Sequence, residues 1–173
     1  LAALVGMDID NAILEMNSAE PPILDGSSKF FVEAIEKVGI VEQDLPREYL
    51  VIKEVMNYID PSTGSELTVI PADDYEITTM VDFGTKVLGT QNASMKNISE
   101  FRDEIAPART FSFLHELEQL LDANLIKGGD ISNAIVYVDK ELTPETLEKL
   151  KVAFGKDEVS IRPNGILDNL NLN

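Results

Sequence analysis

RTFSFLHELEQLLD at residues 109–122 and NAIVYV at residues 133–138 are the two stretches that decide the fold of this chain. In the first, Leu114, Leu117 and Leu121 recur at helical spacing between charged residues, so we predict an amphipathic helix over 109–122. In the second, a short apolar run that follows a pair of glycines predicts a strand over 133–138. A helix that turns directly into a strand is typical of a βαβ-type insert.

Upstream of this insert, the sequence predicts strands. Residues 75–83 alternate between two faces, with Phe83 on the more apolar one. Shorter apolar runs at 49–52, 55–56 and 66–70 are separated from it by turn residues. Closely spaced short strands with such turns indicate an antiparallel meander.

Helix signals occur on both sides of these strands. A helix over residues 30–38 ends at Gly39, and Thr143-Pro144 is a strong start for a helix that ends at Gly155. Weaker patterns predict a helical turn at 1–5, a buried strand at 12–16 and a short helix at 99–105. The predicted class is therefore α+β, with two-layer units of small, mostly antiparallel sheets packed on helices.

Proline and charge at Leu45-Pro46-Arg47 separate two periodic regions and predict a domain boundary. We expect residues 1–44 to be the C-terminal part of one domain, because they offer too few elements for a core of their own. Residues 45–173 are expected to form most of a second domain, with the insert at 109–138. Capping residues are missing at both ends, so we expect both to be cut within a longer protein.

The composition restricts the partners of the chain. Its 173 residues include 31 acidic and 14 basic ones, and the net charge of −17 disfavours nucleic acid and anionic membranes. No run approaches the roughly 20 apolar residues of a membrane span, and no signal peptide is visible. Without cysteine and with one histidine, His115, the chain lacks the usual ligands of a zinc site. His115 falls on the polar face of its predicted helix, where a merely exposed histidine is expected.

Two linked motifs carry a family resemblance. The stretches ARTFSFLHELE at 108–118 and LIKGGDISNAIV at 125–136 resemble paired motifs of the zinc-dependent UDP-3-O-acyl-N-acetylglucosamine deacetylases of lipid A biosynthesis. Residues 1–11 and the turn EPPILDGS at 20–27 are similar to further parts of that family. The sequence departs from the motifs where Ser112 replaces a glycine and Asp130 replaces a serine.

The resemblance covers residues 1 to about 140, whereas residues 141–173 resemble a lineage-dependent insertion. It implies an amidohydrolase in which two histidines and an aspartate hold zinc, and a glutamate acts as base on the zinc-bound water. By the same resemblance, the first ligand and the glutamate lie before Leu1, and an H-K-x-x-D ligand motif lies after Asn173. Zinc is therefore expected in the full-length enzyme, and this chain alone is expected to bind no metal and to be inactive.

The resemblance also implies roles for residues within the chain. Thr110 matches a threonine that hydrogen-bonds the developing oxyanion, and Phe83 matches an aromatic residue that stacks on uracil. Phe111 and Glu116 match residues that line the nucleotide-sugar site. The other matches are walls of an apolar tunnel for the acyl chain: Leu114, Leu117, Ile126, Gly129, Ala134 and Val136.

The implied partner is a UDP-linked acylated glucosamine, and the implied location is the cytoplasm. Some lineages of the family carry a fused 3-hydroxyacyl-carrier-protein dehydratase domain, so such a domain is expected as a further part of the full-length protein. The residues leave one alternative open, a non-catalytic α+β module that binds a partner or an acylated ligand.

Overall fold

The computed structural model describes residues 1–123, 133–161 and 165–167. The helices are α1 (Ala2–Gly6), α2 (Lys29–Val38), α3 (Leu114–Asp122) and α4 (Pro144–Phe154). The strands are β1 (Met56–Ile59), β2 (Glu66–Val69), β3 (Ile77–Asp82), β4 (Thr90–Met95), β5 (Phe111–Phe113) and β6 (Ile135–Tyr137). This mixture of helices and short strands confirms the predicted α+β class. None of the helices in these ranges is long and apolar enough to cross a lipid bilayer.

The strands pair two by two within the described ranges. β1 with β2 and β3 with β4 form antiparallel hairpins, whereas β5 and β6 run parallel. Asp60 organises the turn between β1 and β2, because its Oδ1 accepts hydrogen bonds from the backbone N and the hydroxyl of Ser62, at 2.8 and 2.7 Å. The expectation of small, mostly antiparallel sheets is confirmed.

The predicted helix over 109–122 is wrong at its start. Residues 111–113 are the strand β5, and the helix α3 begins only at Leu114. The alternation Phe111-Ser112-Phe113 suits a strand, and β5 is paired with β6, a partner that lies more than twenty residues further along the chain. Together, β5, α3 and β6 form the expected βαβ insert, with the predicted strand at 133–138 present as β6.

Two other predicted strands are also wrong. Residues 12–16 and 49–52 adopt no regular secondary structure. Ile13 and Leu50 are 89% and 92% exposed, so neither segment is buried. A strand needs a neighbour for its backbone hydrogen bonds, and within the described ranges neither segment pairs with another strand.

One core lies where α1 and α2 meet the residues around the end of β4. Its buried members are small, aliphatic or aromatic: Ala3, Val32, Met95, Phe101 and Ala106. Val32 is the buried residue of α2, whereas Val38, which the helical pattern places on the apolar face, is 83% exposed. The predicted helix over 99–105 is a 3₁₀ turn, Ile98–Glu100, followed by one π-helical turn, Phe101–Ile105.

A second core lies between the βαβ insert and α4. Its buried residues are aliphatic: Leu114, Leu117, Val136, Leu150, Val159 and Leu167. The helix α4 begins and ends as predicted, since Thr143 Oγ1 accepts a hydrogen bond from the Thr146 amide at 3.2 Å and Gly155 ends the helix at φ +59°. Residues of the predicted insertion at 141–173 are therefore part of the same core as α3 and β6.

Arg47 ties the predicted boundary region back to the end of α1. Its guanidinium donates to Asp10 Oδ2 from Nε at 2.9 Å and from a terminal nitrogen at 2.6 Å. It also donates to Asp8, at Oδ1 over 2.5 Å and at the carbonyl O over 2.9 Å. These bonds raise the pKa of Arg47, with the larger contribution from Asp10. The carboxylates of Asp8 and Asp10 therefore bind the same arginine.

Candidate functional site

Three segments that are distant in sequence meet at the β5–β6 sheet. The amide of Thr110 donates a hydrogen bond to the carbonyl O of Gly26 over 2.9 Å, and the amide of Ile135 donates to the carbonyl O of Thr110 over 3.0 Å. The amide of Ser28 donates to the carbonyl O of Ala106 over 2.9 Å. The D-G-S turn, the A-R-T segment and the start of β6 therefore form one hydrogen-bonded unit with Thr110 at its centre.

In the D-G-S turn, Asp25 accepts hydrogen bonds that stabilise the turn, and Gly26 allows the turn to pack closely against the sheet. Asp25 Oδ1 accepts hydrogen bonds from the amide and the hydroxyl of Ser27 at 3.1 and 2.8 Å, and its Oδ2 lies 3.8 Å from Nε of Arg109. Gly26 has φ +80°, and a Cβ at this position would lie 1.8 Å from the carbonyl O of Asn133. Only glycine meets both requirements without displacing the turn from the sheet.

An aromatic cluster lies at the same sheet and consists of Phe83, Phe111, Phe113 and Tyr137. The rings of Phe83 and Phe111 meet edge to face with centroids 5.3 Å apart, and those of Phe111 and Tyr137 with centroids 5.8 Å apart. Phe113 is buried between them, with its centroid 6.0 Å from that of Phe83. Partly exposed rings of this kind offer surfaces on which a planar base can stack.

The strand register explains why the rings of Phe111, Phe113 and Tyr137 share one face of the β5–β6 sheet. Phe113 lies opposite Tyr137 in the parallel pair, and alternate residues of a strand point to the same side. Val136, which lies opposite Ser112, points to the other side and is buried in the aliphatic core. The sheet thus carries aromatic rings on one face and packs on helices with the other.

His115 extends the aromatic cluster at the start of α3. Its ring lies nearly parallel to that of Phe113, with an interplanar angle of 16° and centroids 5.8 Å apart. Its Nδ1 contacts Oδ2 of Asp139, and its backbone amide donates to Oδ1 of the same carboxylate over 3.4 Å. The side chain of His115 is 45% exposed and that of Asp139 is 10% exposed. The predicted exposure of His115 is confirmed, but the histidine has a fixed partner.

The structure brings three of the predicted site residues together. Phe83 and Phe111 are in direct ring contact, and Thr110, an exposed residue, immediately precedes Phe111. Glu116, predicted to line the nucleotide-sugar site, is exposed, and its carboxylate accepts a hydrogen bond from the amide of Phe113 over 3.1 Å. Glu116 therefore caps the first turn of α3 in this structure.

Of the six predicted tunnel residues, four lie within the described part of the chain and two lie outside it. Leu114, Leu117 and Val136 are buried in the core that α4 covers, and Ala134 is half-buried just before β6. Ile126 and Gly129, like the motif position Asp130, lie outside the described residues. Leu114 is fully buried. The three buried residues thus pack on protein in this structure.

Sequence reasoning missed three members of the site: Phe113, Tyr137 and Asp139. Phe113 falls within the predicted helix over 109–122, whereas in the structure it alternates with Ser112 and shares a strand face with Phe111. Tyr137 lies within the predicted strand at 133–138. Its contact with Phe113 depends on the parallel register of β5 and β6, which the sequence does not show. Asp139 could be found from sequence only as an acidic residue that follows this strand.

The residues that the structure describes do not offer the donor set of a zinc site. Among the described residues, no group of three or more His, Cys, Asp or Glu side chains is arranged to hold a metal ion. The whole sequence contains one histidine and no cysteine, and its histidine contacts Asp139. Catalytic zinc sites need three protein ligands that include nitrogen or sulfur donors.

Comparison with known proteins identifies the family. The family model for LpxC, UDP-3-O-acyl N-acetylglycosamine deacetylase, matches residues 1–153 and so reaches into α4. A bifunctional enzyme LpxC/FabZ from Porphyromonas gingivalis is 41% identical over 169 residues, which are 98% of this chain and 37% of the relative. Its counterpart from Chlorobaculum tepidum is 42% identical, over 99% of this chain and 38% of the relative.

A UDP-3-O-acyl-N-acetylglucosamine deacetylase from Phenylobacterium zucineum is 39% identical over 151 residues, which are 86% of this chain and 51% of the relative. The chain therefore spans between about two fifths and one half of the length of these relatives. The family resemblance found in the A-R-T-F and N-A-I-V motifs is confirmed, and the chain belongs to the UDP-3-O-acyl N-acetylglycosamine deacetylase family.

Proposed function

We propose that this chain is the nucleotide-facing part of a zinc-dependent deacetylase that removes the N-acetyl group from UDP-3-O-(3-hydroxyacyl)-N-acetylglucosamine in lipid A biosynthesis. The observation that carries this proposal is the contact of Phe83 with Phe111, whose centroids lie 5.3 Å apart beside the exposed Thr110. Family membership supports the deacetylation reaction. The aromatic cluster supports the proposal that this chain binds the nucleotide of the substrate.

Three residues of the chain, Phe83, Phe111 and Thr110, would contact the substrate directly. Phe83 holds the uracil by stacking, which is worth roughly 1–3 kcal/mol for a base on an aromatic ring. Phe111, whose ring meets that of Phe83, lines the nucleotide-sugar site. The hydroxyl of Thr110 donates a hydrogen bond to the oxygen that becomes negative as the acetyl carbonyl is attacked. The backbone bonds of Thr110 to Gly26 and Ile135 fix the main chain that carries this hydroxyl.

We further propose that the zinc ligands and the general base belong to residues other than those of this chain, and that the chain alone does not hydrolyse substrate. Two observations support this: the chain spans only 37–51% of the relatives described above, and in the part of the chain that the structure describes no group of His, Cys, Asp or Glu side chains is arranged to hold a metal ion. A second, dehydratase activity in the same polypeptide is supported by the two bifunctional relatives, which match 98–99% of the chain. We propose a cytoplasmic location, with which the cysteine-free composition is compatible.

The test combines binding and turnover. We expect the purified chain to bind UDP and the UDP-linked acylated glucosamine in titration calorimetry, and to release no acetate from that substrate when zinc is added. We expect Phe83→Ala to weaken UDP binding about tenfold. The matched control is Phe30→Ala, which removes a half-exposed ring on α2 and should leave UDP affinity unchanged.

Each outcome has a distinct meaning. Acetate release by this chain would contradict the proposed inactivity. Unchanged UDP affinity in Phe83→Ala would contradict the placement of uracil on the aromatic cluster. Binding of an acylated ligand that lacks the nucleotide, without binding of UDP, would favour a non-catalytic module instead.

A further inference from the structure

His115 presents a hydrogen-bonding atom at the edge of the aromatic cluster. Its ring is near-parallel to that of Phe113 and is anchored at Nδ1 by the nearly buried carboxylate of Asp139. The second bond, from the His115 amide to Asp139 Oδ1 over 3.4 Å, joins the backbone to the same carboxylate. A ring that is held by stacking and at one nitrogen has a defined orientation although nearly half of its side chain is exposed.

The contact with Asp139 decides which ring nitrogen carries the proton. An ionised carboxylate only accepts hydrogen bonds, so Nδ1 of His115 must be the donor. In the neutral imidazole, Nε2 then carries a lone pair and acts as an acceptor. Asp139 thereby makes the other end of the ring a fixed acceptor beside a stacking surface.

The neighbouring acidic side chains already have partners. Glu116 accepts a hydrogen bond from the amide of Phe113, and Glu118 pairs with Lys140 and with Thr146 on α4. These contacts direct both carboxylates to α3 and to its packing against α4. Among these side chains, the ring of His115 is the one that is stacked on a member of the aromatic cluster.

A ligand that suits this arrangement has a planar base and a hydroxyl donor close to it. A ribonucleoside has both, because its 2′- and 3′-hydroxyls lie on the sugar attached to the base. We infer that His115 is a specificity-determining residue that accepts, at Nε2, a hydrogen bond from a ribose hydroxyl of the bound nucleotide. Asp139 is a positioning residue that fixes the tautomer. This inference rests on the proposed function, since it assumes that the base stacks on the aromatic cluster.

The experiment removes the hydroxyl from the ligand and the acceptor from the protein. UDP, 2′-deoxy-UDP and 3′-deoxy-UDP are titrated into the wild-type chain and into His115→Phe, which keeps a ring beside Phe113 but has no acceptor. We expect one deoxy analogue to bind the wild-type chain about three- to tenfold more weakly than UDP, as for a single neutral hydrogen bond. In His115→Phe, we expect UDP and that analogue to bind equally.

The single histidine allows a second measurement that needs no variant. Nitrogen NMR of the ¹⁵N-labelled chain is expected to show the Nδ1-protonated tautomer, and UDP should shift the Nε2 resonance while the discriminated deoxy analogue should not. Asp139→Asn should weaken the preference for that tautomer and reduce the discrimination between the two ligands. A purely structural role of Asp139 would change stability and leave this discrimination intact.

Two results would overturn the inference while leaving the proposed function in place. One is UDP binding by the wild-type chain without discrimination against either deoxy analogue. The other is the same discrimination in the wild-type chain and in His115→Phe. Failure of the wild-type chain to bind UDP would contradict the proposed function itself, and the inference with it.

Discussion

The hydroxyl of Thr146 on α4 donates a hydrogen bond to Oε1 of Glu118 on α3 over 2.6 Å. The other carboxylate oxygen of Glu118 contacts the ammonium group of Lys140. Thr146 is 8% exposed, and the side chain of Glu118 is 17% exposed. A largely buried carboxylate is costly unless its oxygens have partners, so this bond helps to fix α4 on the βαβ insert.

Removing this hydroxyl should destabilise the chain. Thr146→Val keeps the side-chain volume but takes one partner from Glu118, and we expect the free energy of unfolding to fall by about 1–2 kcal/mol. Urea denaturation followed by circular dichroism measures the change. Thr79→Val on the exposed face of β3 is the control, with an expected change within about 0.5 kcal/mol. Equal effects of the two substitutions would show that the Thr146–Glu118 bond contributes nothing to the seating of α4.

The buried apolar residues of α4 should contribute more to the free energy of unfolding than its hydrogen bond to Glu118 does. Leu150 is fully buried in the core with Leu114 and Leu117, whereas Val152 on the same helix is 81% exposed. We expect Leu150→Ala to lower the free energy of unfolding by about 2–5 kcal/mol, because it leaves a cavity. Val152→Ala should change it by no more than about 0.5 kcal/mol. Similar unfolding curves for the two variants would mean that α4 is not part of the core.

The docking of the D-G-S turn can be tested with two glycines that share one backbone angle. Gly26 and Gly39 both have φ +80°, but a Cβ would meet the carbonyl O of Asn133 at position 26 and nothing within 4 Å at position 39. Gly39→Ala should therefore cost only the backbone strain, about 1–3 kcal/mol. Gly26→Ala should cost a further 1–3 kcal/mol or so, from the forced displacement of the turn.

Thermal or urea unfolding of both glycine variants measures this difference. UDP titration adds a functional readout, because a displaced turn would no longer hold Thr110. If Gly26→Ala were no more destabilising than Gly39→Ala, the close approach of the turn to Asn133 would not exist in solution.

The hairpin turn at Asp60 gives a prediction for pH. Hydrogen bonds from the hydroxyl and then from the amide of Ser62 hold the pKa of the Asp60 carboxyl below its usual range. The pKa is therefore lower in the folded chain than in the unfolded one, where it is about 3.9. The turn is stabilised above that value, and the stabilisation is lost as the pH falls through the folded pKa.

A carbon NMR titration of the Asp60 carboxyl measures this pKa. Ser62→Ala removes the largest cause of the shift and should bring the pKa of Asp60 back toward its ordinary value. Ser94→Ala, in β4, is a control that should leave the titration of Asp60 unchanged. A titration of Asp60 that is the same in Ser62→Ala and in the wild-type chain would contradict this origin of the shift.

The sequence by itself determined the elements whose signals are local. α2 ends at Gly39 and α4 begins at Thr143-Pro144 because capping residues act on backbone groups within one turn of the helix. The alternation of residues 75–83 predicted β3 for a similar reason, since the period of a strand is a local property. The family resemblance also predicts that Thr110, Phe83 and Phe111 belong to one site, and in the structure the rings of Phe83 and Phe111 meet beside Thr110.

The tertiary structure decided everything that depends on a partner far along the chain. Residues 111–113 are a strand because β6 supplies their hydrogen bonds, and Phe113 joins the aromatic cluster only through its register with Tyr137. Leu114 and Val136 lie in a core because α4 covers them, and His115 has a fixed partner because Asp139 lies against it. Pairing and burial are properties of two segments at once, so neither can be read from the residues of one segment alone.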